Sequence, residues 1–254
     1  MKAIVVCINL IIITLILSPQ GQAKLDPESI VGAWLFDEGN GNTARDSSRK
    51  GNDGKLVNGP KWIDGKFGKA LELDGKDDSV EVPDSDTLDV TAVTLTAWVK
   101  SKAAQLKDGN VIVYKLASYI HQYWSNTINP GVFVGGTWCG SGWLPQGVIW
   151  DDTWHHVALT YDGTIQKFYI DGAFVGENAT CKGDIDITAN NLTIGTGNTG
   201  FYTGSIDEVA VLNVALEEDD FGTMIDEGLR DITAVLSIGK LTATWGGIKH
   251  SSSF

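Results

Sequence analysis

The sequence lacks the spacings by which many catalytic centres announce themselves. It holds no His-Glu-x-x-His, no Gly-x-Ser-x-Gly and no zinc-type pairing of cysteines. Basic residues are also few. Lys and Arg number 19 against 32 Asp and Glu, a formal charge of −13. Such a surface repels phosphate backbones and polyanionic glycans, so nucleic acid is not an expected partner. It suits solubility outside the cell and can supply oxygen ligands to Ca²⁺. Internal repeats and low-complexity tracts are absent too.

Long apolar runs are scarce, and the one that stands out is at the start. Lys2 precedes an almost unbroken apolar stretch from Ile4 to Leu17, then come Pro19 and the small residues of Gly21-Gln22-Ala23. That is the layout of a secretory signal peptide over residues 1–23, too short for a comfortable membrane span. The expected location is extracellular or periplasmic, with no membrane span in the mature chain. Of the three cysteines, Cys7 would leave with that segment. Cys139 and Cys181 remain, and in an oxidising compartment an even pair reads as a disulfide.

What is abundant is the punctuation of strands. The stretch 154–163, WHHVALTYDG, and the stretch 168–172, FYIDG, are apolar runs that each close on Asp-Gly. Asp-Gly tolerates the positive φ of tight hairpins, so the two read as consecutive antiparallel strands. Further strands are expected at 31–36, 69–75, 79–83, 93–100, 110–116, 131–135, 191–195 and 204–212. Val93, Leu95, Ala97 and Val99 share one face of a half-buried strand. A helix is expected at 215–226, with Leu216, Phe221, Met224 and Ile225 on one stripe and acids near its N-terminal end. Many short strands with Gly and Asp turns argue for an all-β sandwich. Residues 24–230 make one domain in this reading, and 231–254 a tail of unassigned role.

Residues 117–150 read as a long loop or an irregular hairpin carrying Trp124, Trp138, Trp143 and Trp150. Long ordered loops rich in aromatics are candidate binding elements. Tyr123, Trp124, Trp138 and Trp143 are the candidates for stacking on a sugar ring, with Gln122 and Asn126 as polar neighbours. The bland alternative is that these rings pack the loop onto a sheet. Trp34, Trp98 and Trp154 read as core residues. His155 and His156 are strand neighbours that face opposite sides, so they cannot share one metal. One is expected to be partly buried and the other exposed.

The order and wording of these stretches resemble the laminin-G-like, concanavalin A-like lectin/glucanase family. The match runs through VGAWLFDEGNGNTARDSSRKGNDGKL, GKFGKALELDGKDDSVEVP, VTLTAWVK, WHHVALTYDG and FYIDG to GSIDEVAVLNVALEEDDF. It departs from the family in the aromatic stretch at 117–150. The resemblance implies a jelly roll of two packed antiparallel sheets, serving as a carbohydrate-binding or adhesion module; this step is analogy. It also implies a structural Ca²⁺, with Asp46, Asn52 and Asp207 as the expected ligands. The alternative at the turn is that Asp46 makes an Asx turn.

The resulting expectation is a non-catalytic extracellular module that binds a glycan. The enzyme alternative, a glycoside hydrolase or polysaccharide lyase, needs paired carboxylates on one face, and Glu72, Asp74, Asp207 and Glu208 do not reproduce a Glu-x-Asp-x-x-Glu array. A protein-binding adhesion module is the third reading. The oligomeric state is not legible.

Overall fold

The computed structural model describes residues 25–141, 149–230 and 232–234. In chain order the strands are β1 (Ile30–Trp34), β2 (Thr43–Ala44), β3 (Gly54–Val57), β4 (Lys61–Asp64), β5 (Lys69–Asp74) and β6 (Ser79–Val82). Then come β7 (Val93–Lys100), β8 (Val111–Lys115), β9 (Tyr119–Trp124), β10 (Thr127–Ile128), β11 (Gly131–Val134) and β12 (Thr137–Gly140). The last are β13 (His155–Tyr161), β14 (Gln166–Ile170), β15 (Ala173–Asn178), β16 (Leu192–Ile194) and β17 (Thr203–Leu212), followed by the short helix α1 (Gly222–Asp226). The expected signal segment and, apart from 232–234, the expected tail lie outside the described residues.

One sheet runs β15-β14-β13-β7-β17-β5-β4, with β1 also pairing along β17. The other runs β12-β11-β9-β8-β16-β6-β3-β2, with β10 pairing on β9. All ladders are antiparallel, and neighbours are often distant in sequence, as where β17 inserts between β7 and β5. This is the expected jelly-roll sandwich. Its core lies between the sheets, where Trp34, Leu71, Val80, Leu95, Val113, Tyr119, Leu159 and Phe168 are buried together. The Asp-Gly turn after β14 behaves as expected, with Asp171 and Gly172 both at positive φ.

Three expectations need correction. The strand expected to be half-buried, β7, is buried on both faces along nearly its whole length. The reason is a second apolar cluster on the outer face of its sheet. There Ile30, Ala158, Tyr169, Ala210 and Leu212 are covered by Leu216, Phe221 and Met224. Thr94 on that face accepts from Leu216 N–H at 2.9 Å and donates to the Val214 carbonyl at 2.7 Å. The helical segment itself starts later than residue 215: a 3₁₀ turn over Glu218–Phe221 leads into α1, and Glu217 and Asp220 cap it reciprocally.

The second correction concerns 117–150. Its described part is a meander, β9 to β12, fully integrated into the sheet. Two tight turns organise it. Ser125 and Asn126 both have positive φ between Trp124 and its partner Thr127. Gly135 and Gly136 do the same between Val134 and Thr137. Both are two-residue turns of the kind that matches strand twist. Asp186 accepts from the N–H groups of Gly135 and Gly136 at 2.8 and 2.7 Å, which fastens the second tip. The third correction is Trp154, which is half-buried at a sheet margin, whereas Trp34 and Trp98 are buried as expected.

Cys139 and Cys181 form the expected disulfide, their Cα atoms 6.0 Å apart across 42 positions of sequence. The bond ties the edge strand β12 to the segment after β15. Closing a loop of that length contributes about 3–4 kcal/mol in the chain-entropy picture. The paired Cys139→Ser, Cys181→Ser variant should lose about that much stability in urea unfolding; an unchanged midpoint would show that the loop is held by other means.

Candidate functional site

The side chains able to bind a ligand gather on the outer face of the second sheet, at the edge formed by β9, β11 and β12. Alternation along β9 sorts them. Tyr123 points inward, is 7% exposed, and packs edge-on against Trp150 with ring centres 5.5 Å apart. Trp124 points outward and is 40% exposed. Adjacent strand residues face opposite sides. The expected set therefore divides: Tyr123 is core, and Trp124 belongs to the surface. Trp143 lies outside the described residues. Asn126 sits in the hairpin turn, exposed.

Trp138 is the second surface indole, 38% exposed on β12. Its placement has a specific cause. The cross-strand pair Gly131 and Gly140 lies next to it in the ladder. A Cβ on Gly131 would come within 2.5 Å of Trp138 Cη2, and one on Gly140 within 2.6 Å of its Nε1. The indole thus lies across two backbones that have no side chains, and any larger residue there would displace it. Phe133, opposite Trp138 in the ladder, holds the ring from the other side at 5.2 Å between centres.

Two clefts flank these indoles. One, of about 450 Å³, is lined by Tyr114, Ile120, Gln122, Phe133, Asn198 and Thr199 together with Trp124, Asn129 and Trp138. The other, of about 370 Å³, shares Trp124, Asn129 and Trp138 and adds Ser125, Thr127, Gly140 and Asn178. Both fall in the size range of small-molecule sites, about 300–1,000 Å³. A satellite apolar cluster of Val111, Tyr114 and Ile120 lies beneath the first. Asn129 is fixed by its own N–H, which donates to the Gln122 carbonyl at 2.7 Å. The Asn129 Oδ1 is buried and without a hydrogen-bond partner. Of the sequence-level candidates, Trp124, Trp138 and Gln122 are brought together here. Asn178 and Asn198 escape sequence reasoning because distant segments of chain deliver them, whereas Asn129 is brought in by the β9–β10 hairpin. The glycines at 131 and 140 are the available signal for a seated ring.

The expected metal ligands are arranged differently. Asp46 accepts from the N–H groups of Ala33, Ser48 and Asn52 at 2.9–3.0 Å and from the Ser48 hydroxyl at 2.8 Å. Asn52 donates to the Val31 carbonyl at 2.7 Å and to Thr87 Oγ1 at 2.8 Å. Asp207 faces other backbone, accepting from Lys66, Phe67 and Glu208 N–H at 2.8–3.0 Å. Burial pushes the Asp207 carboxyl up to about 8, against the pull of those N–H groups. Burial likewise raises Glu208 to about 7. In this arrangement the Asp46 and Asp207 carboxylates face N–H donors rather than one another, which is not the converging oxygen set a hard cation takes.

The histidine pair is also distinct from expectation in detail. His156 is buried and hydrogen-bonded to Thr96, and burial lowers it to about 3. His155 is half-buried. It bonds Asp171 through Nδ1 at 2.7 Å, and Thr153 and Asp151 through Nε2 at 3.0 and 3.3 Å. His121, facing the core from β9, bonds the Leu95 carbonyl at 3.0 Å and is lowered by burial to about 4.

Comparison with known proteins supplies the fold's relatives. A family model described as the concanavalin A-like lectin/glucanases superfamily matches residues 74–221. No curated protein matches the sequence. Among solved structures, the chain is similar to domain 4 of AbnA, an extracellular arabinanase from Geobacillus stearothermophilus, solved in complex with arabinotriose. The identity is 20% and the TM-score 0.62, over 78% of this chain and 98% of that one. It is also similar to the binding domain of Paraclostridial Mosquitocidal Protein 1, at 14% identity and TM-score 0.63, over 79% of this chain and 52% of that one. A sialidase of Trypanosoma rangeli, solved with sialic acid, is similar at 17% identity and TM-score 0.54, over 80% of this chain and 33% of that one. At these identities the likeness is one of fold.

The buried titratable groups give the fold a two-sided pH signature. Asp207 and Glu208 hold protons in the folded state that the unfolded chain releases near pH 4, so their contribution is lost as pH rises through about 7 and 8. His121 and His156 stay neutral where the unfolded chain binds protons, so theirs is lost as pH falls below about 6.5 towards 4 and 3. Above about pH 6.5 only the carboxyls act. The melting temperature should therefore fall between about pH 6.5 and 8.5, and less steeply in Glu208→Gln, whose amide oxygen can still accept from Leu229 N–H. Equal slopes in the two proteins would contradict the assignment.

Proposed function

The chain belongs to the concanavalin A-like lectin/glucanase superfamily, and we propose that within it this protein is a non-catalytic module that binds glycans outside the cell. The observation that carries the reading is the pair of surface indoles, Trp124 and Trp138, flanking amide-lined clefts. An indole offers a flat apolar face to the C–H side of a sugar ring, while amides offer both donors and acceptors to its hydroxyls. The arabinotriose bound by the AbnA domain is consistent with this use of the fold.

Binding without turnover is favoured by the lining itself. Glycoside hydrolysis needs two carboxyl groups about 5–10 Å apart across the scissile bond. Neither cleft is lined by Asp or Glu among the described residues, and the stretch 142–148 contains neither. Export by the N-terminal segment 1–23 is part of the proposal, supported by the Cys139–Cys181 bond, which suits an oxidising compartment. No helix among the described residues is long and apolar enough to cross a membrane.

The Trp124→Ala, Trp138→Ala double variant should lose retention on glycan arrays and in polysaccharide pull-downs while keeping its melting temperature. Undiminished retention would remove the site from this face, and release of reducing sugar by the wild-type chain would replace binding by catalysis. A structural calcium at Asp46, Asn52 and Asp207 is the weaker part of the family expectation, since the Asp46 and Asp207 carboxylates already accept from backbone N–H groups and the Asn52 amide is engaged as a donor. Thermal melts in excess chelator and in added calcium should coincide; a higher melt with calcium would restore the ion.

A further inference from the structure

The proposed glycan site contains more information than the presence of two indoles. The two clefts are adjacent and share three residues, Trp124, Trp138 and Asn129. Every other lining residue belongs to one cleft alone. Resting on the glycan-binding reading, we infer that the site takes an uncharged, linear oligosaccharide that lies across both clefts, with Asn129 between its successive units.

Charge decides the class of sugar. Among the described residues none that lines either cleft is charged, in a chain whose formal charge is −13. A uronate or sialate entering there would lose water without meeting a cation, and a buried unpaired charge is costly. The nearest polar equipment is neutral instead. Gln122, Asn129, Asn178 and Asn198 are amides, and Ser125, Thr127 and Thr199 carry hydroxyls. Hydroxyl groups that both donate and accept are the chemistry these side chains match.

Asn129 decides the continuity. Its Oδ1 is buried and has no hydrogen-bond partner, which is destabilising in a folded protein. Among the described residues Asn129 is the one side-chain amide that lines both clefts, so a ligand hydroxyl bonded to that amide lies at their junction, and a small turn of the side chain brings the unpaired oxygen to it. A single sugar filling either cleft leaves the other unoccupied. A chain crossing the junction covers both. Trp138 is suited to a shared wall because Gly131 and Gly140 hold its ring down against the backbone of β11 and β12.

The test is calorimetric titration of the full chain with two ligand series. One is neutral gluco-, xylo- and arabino-oligosaccharides from monosaccharide to pentasaccharide; the other is galacturonate oligomers of the same lengths. Affinity for at least one neutral series should climb about tenfold or more from monosaccharide to trisaccharide and be insensitive to added salt. Asn129→Leu, which keeps bulk but removes the acceptor, should weaken the longer neutral ligands about tenfold with an unchanged melting temperature. If glycans bind and binding needs Trp138, but affinity is flat with length or favours galacturonates, this inference is overturned and the glycan-binding reading stands. If no member of either series binds, the glycan-binding reading falls, and the inference falls with it.

Discussion

Among the described residues the edge strand β12 pairs with one strand, β11, and it carries the most completely positioned side chain of the candidate site. A strand in that position is free to fray unless something holds it. Here the holding comes from the residue next to Trp138. Cys139 turns inward, is buried, and is bonded to Cys181. Because neighbours on a strand face opposite ways, the covalent anchor lies under the sheet while the indole lies above it. The candidate ligand surface and the stabilising bond therefore occupy one strand without competing for space.

The same alternation explains why the two sheets differ in use. The outer face of the β7 sheet is largely closed by Leu216, Phe221 and Met224, which is why Thr94, Thr96 and His156 are buried there and must find partners at short range. On the outer face of the β9 sheet Trp124 and Trp138 are exposed among the described residues. Burial under the cover on the β7 sheet lowers His156, as burial in the core lowers His121 from the other sheet. Exposure on the other side leaves the two indoles open to a ligand. Among the described residues no histidine, Asp or Glu lines the indole clefts, and the raised carboxyls of Asp207 and Glu208 accompany the fastening of residues 66–67 and 229 to β17. Glu208 also sits at positive φ beside an irregularity in the ladder, so the carboxyl pair marks a place where regular pairing is broken.

Much of the candidate site is legible in the amino-acid sequence. Trp124, Trp138 and Gln122 stand out as aromatic and polar residues in a stretch that departs from the family pattern. Tyr123 does not belong with them, and strand alternation separates it from Trp124 once β9 is recognised. That strand is hard to recognise because the turns that define β9 to β12 are made by Ser125-Asn126 and Gly135-Gly136 rather than by Asp-Gly. The carboxylates at Asp46 and Asp207 look like oxygen ligands for a cation. In the folded chain they collect N–H groups, a role that depends on which loops pass beside them and leaves no trace in spacing.

Local patterns carry what depends on near neighbours. Alternating apolar residues, Asp-Gly turns and an even pair of cysteines were enough to establish an all-β sandwich, most of its strand positions and the disulfide, because each is decided within a few residues or by simple pairing. Which faces are covered, which indole is seated on glycines, and which amides from residues 129, 178 and 198 meet around it were decided only by tertiary structure. Those relations join segments far apart in sequence, and the free energy that selects them, burial of one sheet face in preference to another, belongs to the assembled sandwich and to no single stretch of chain.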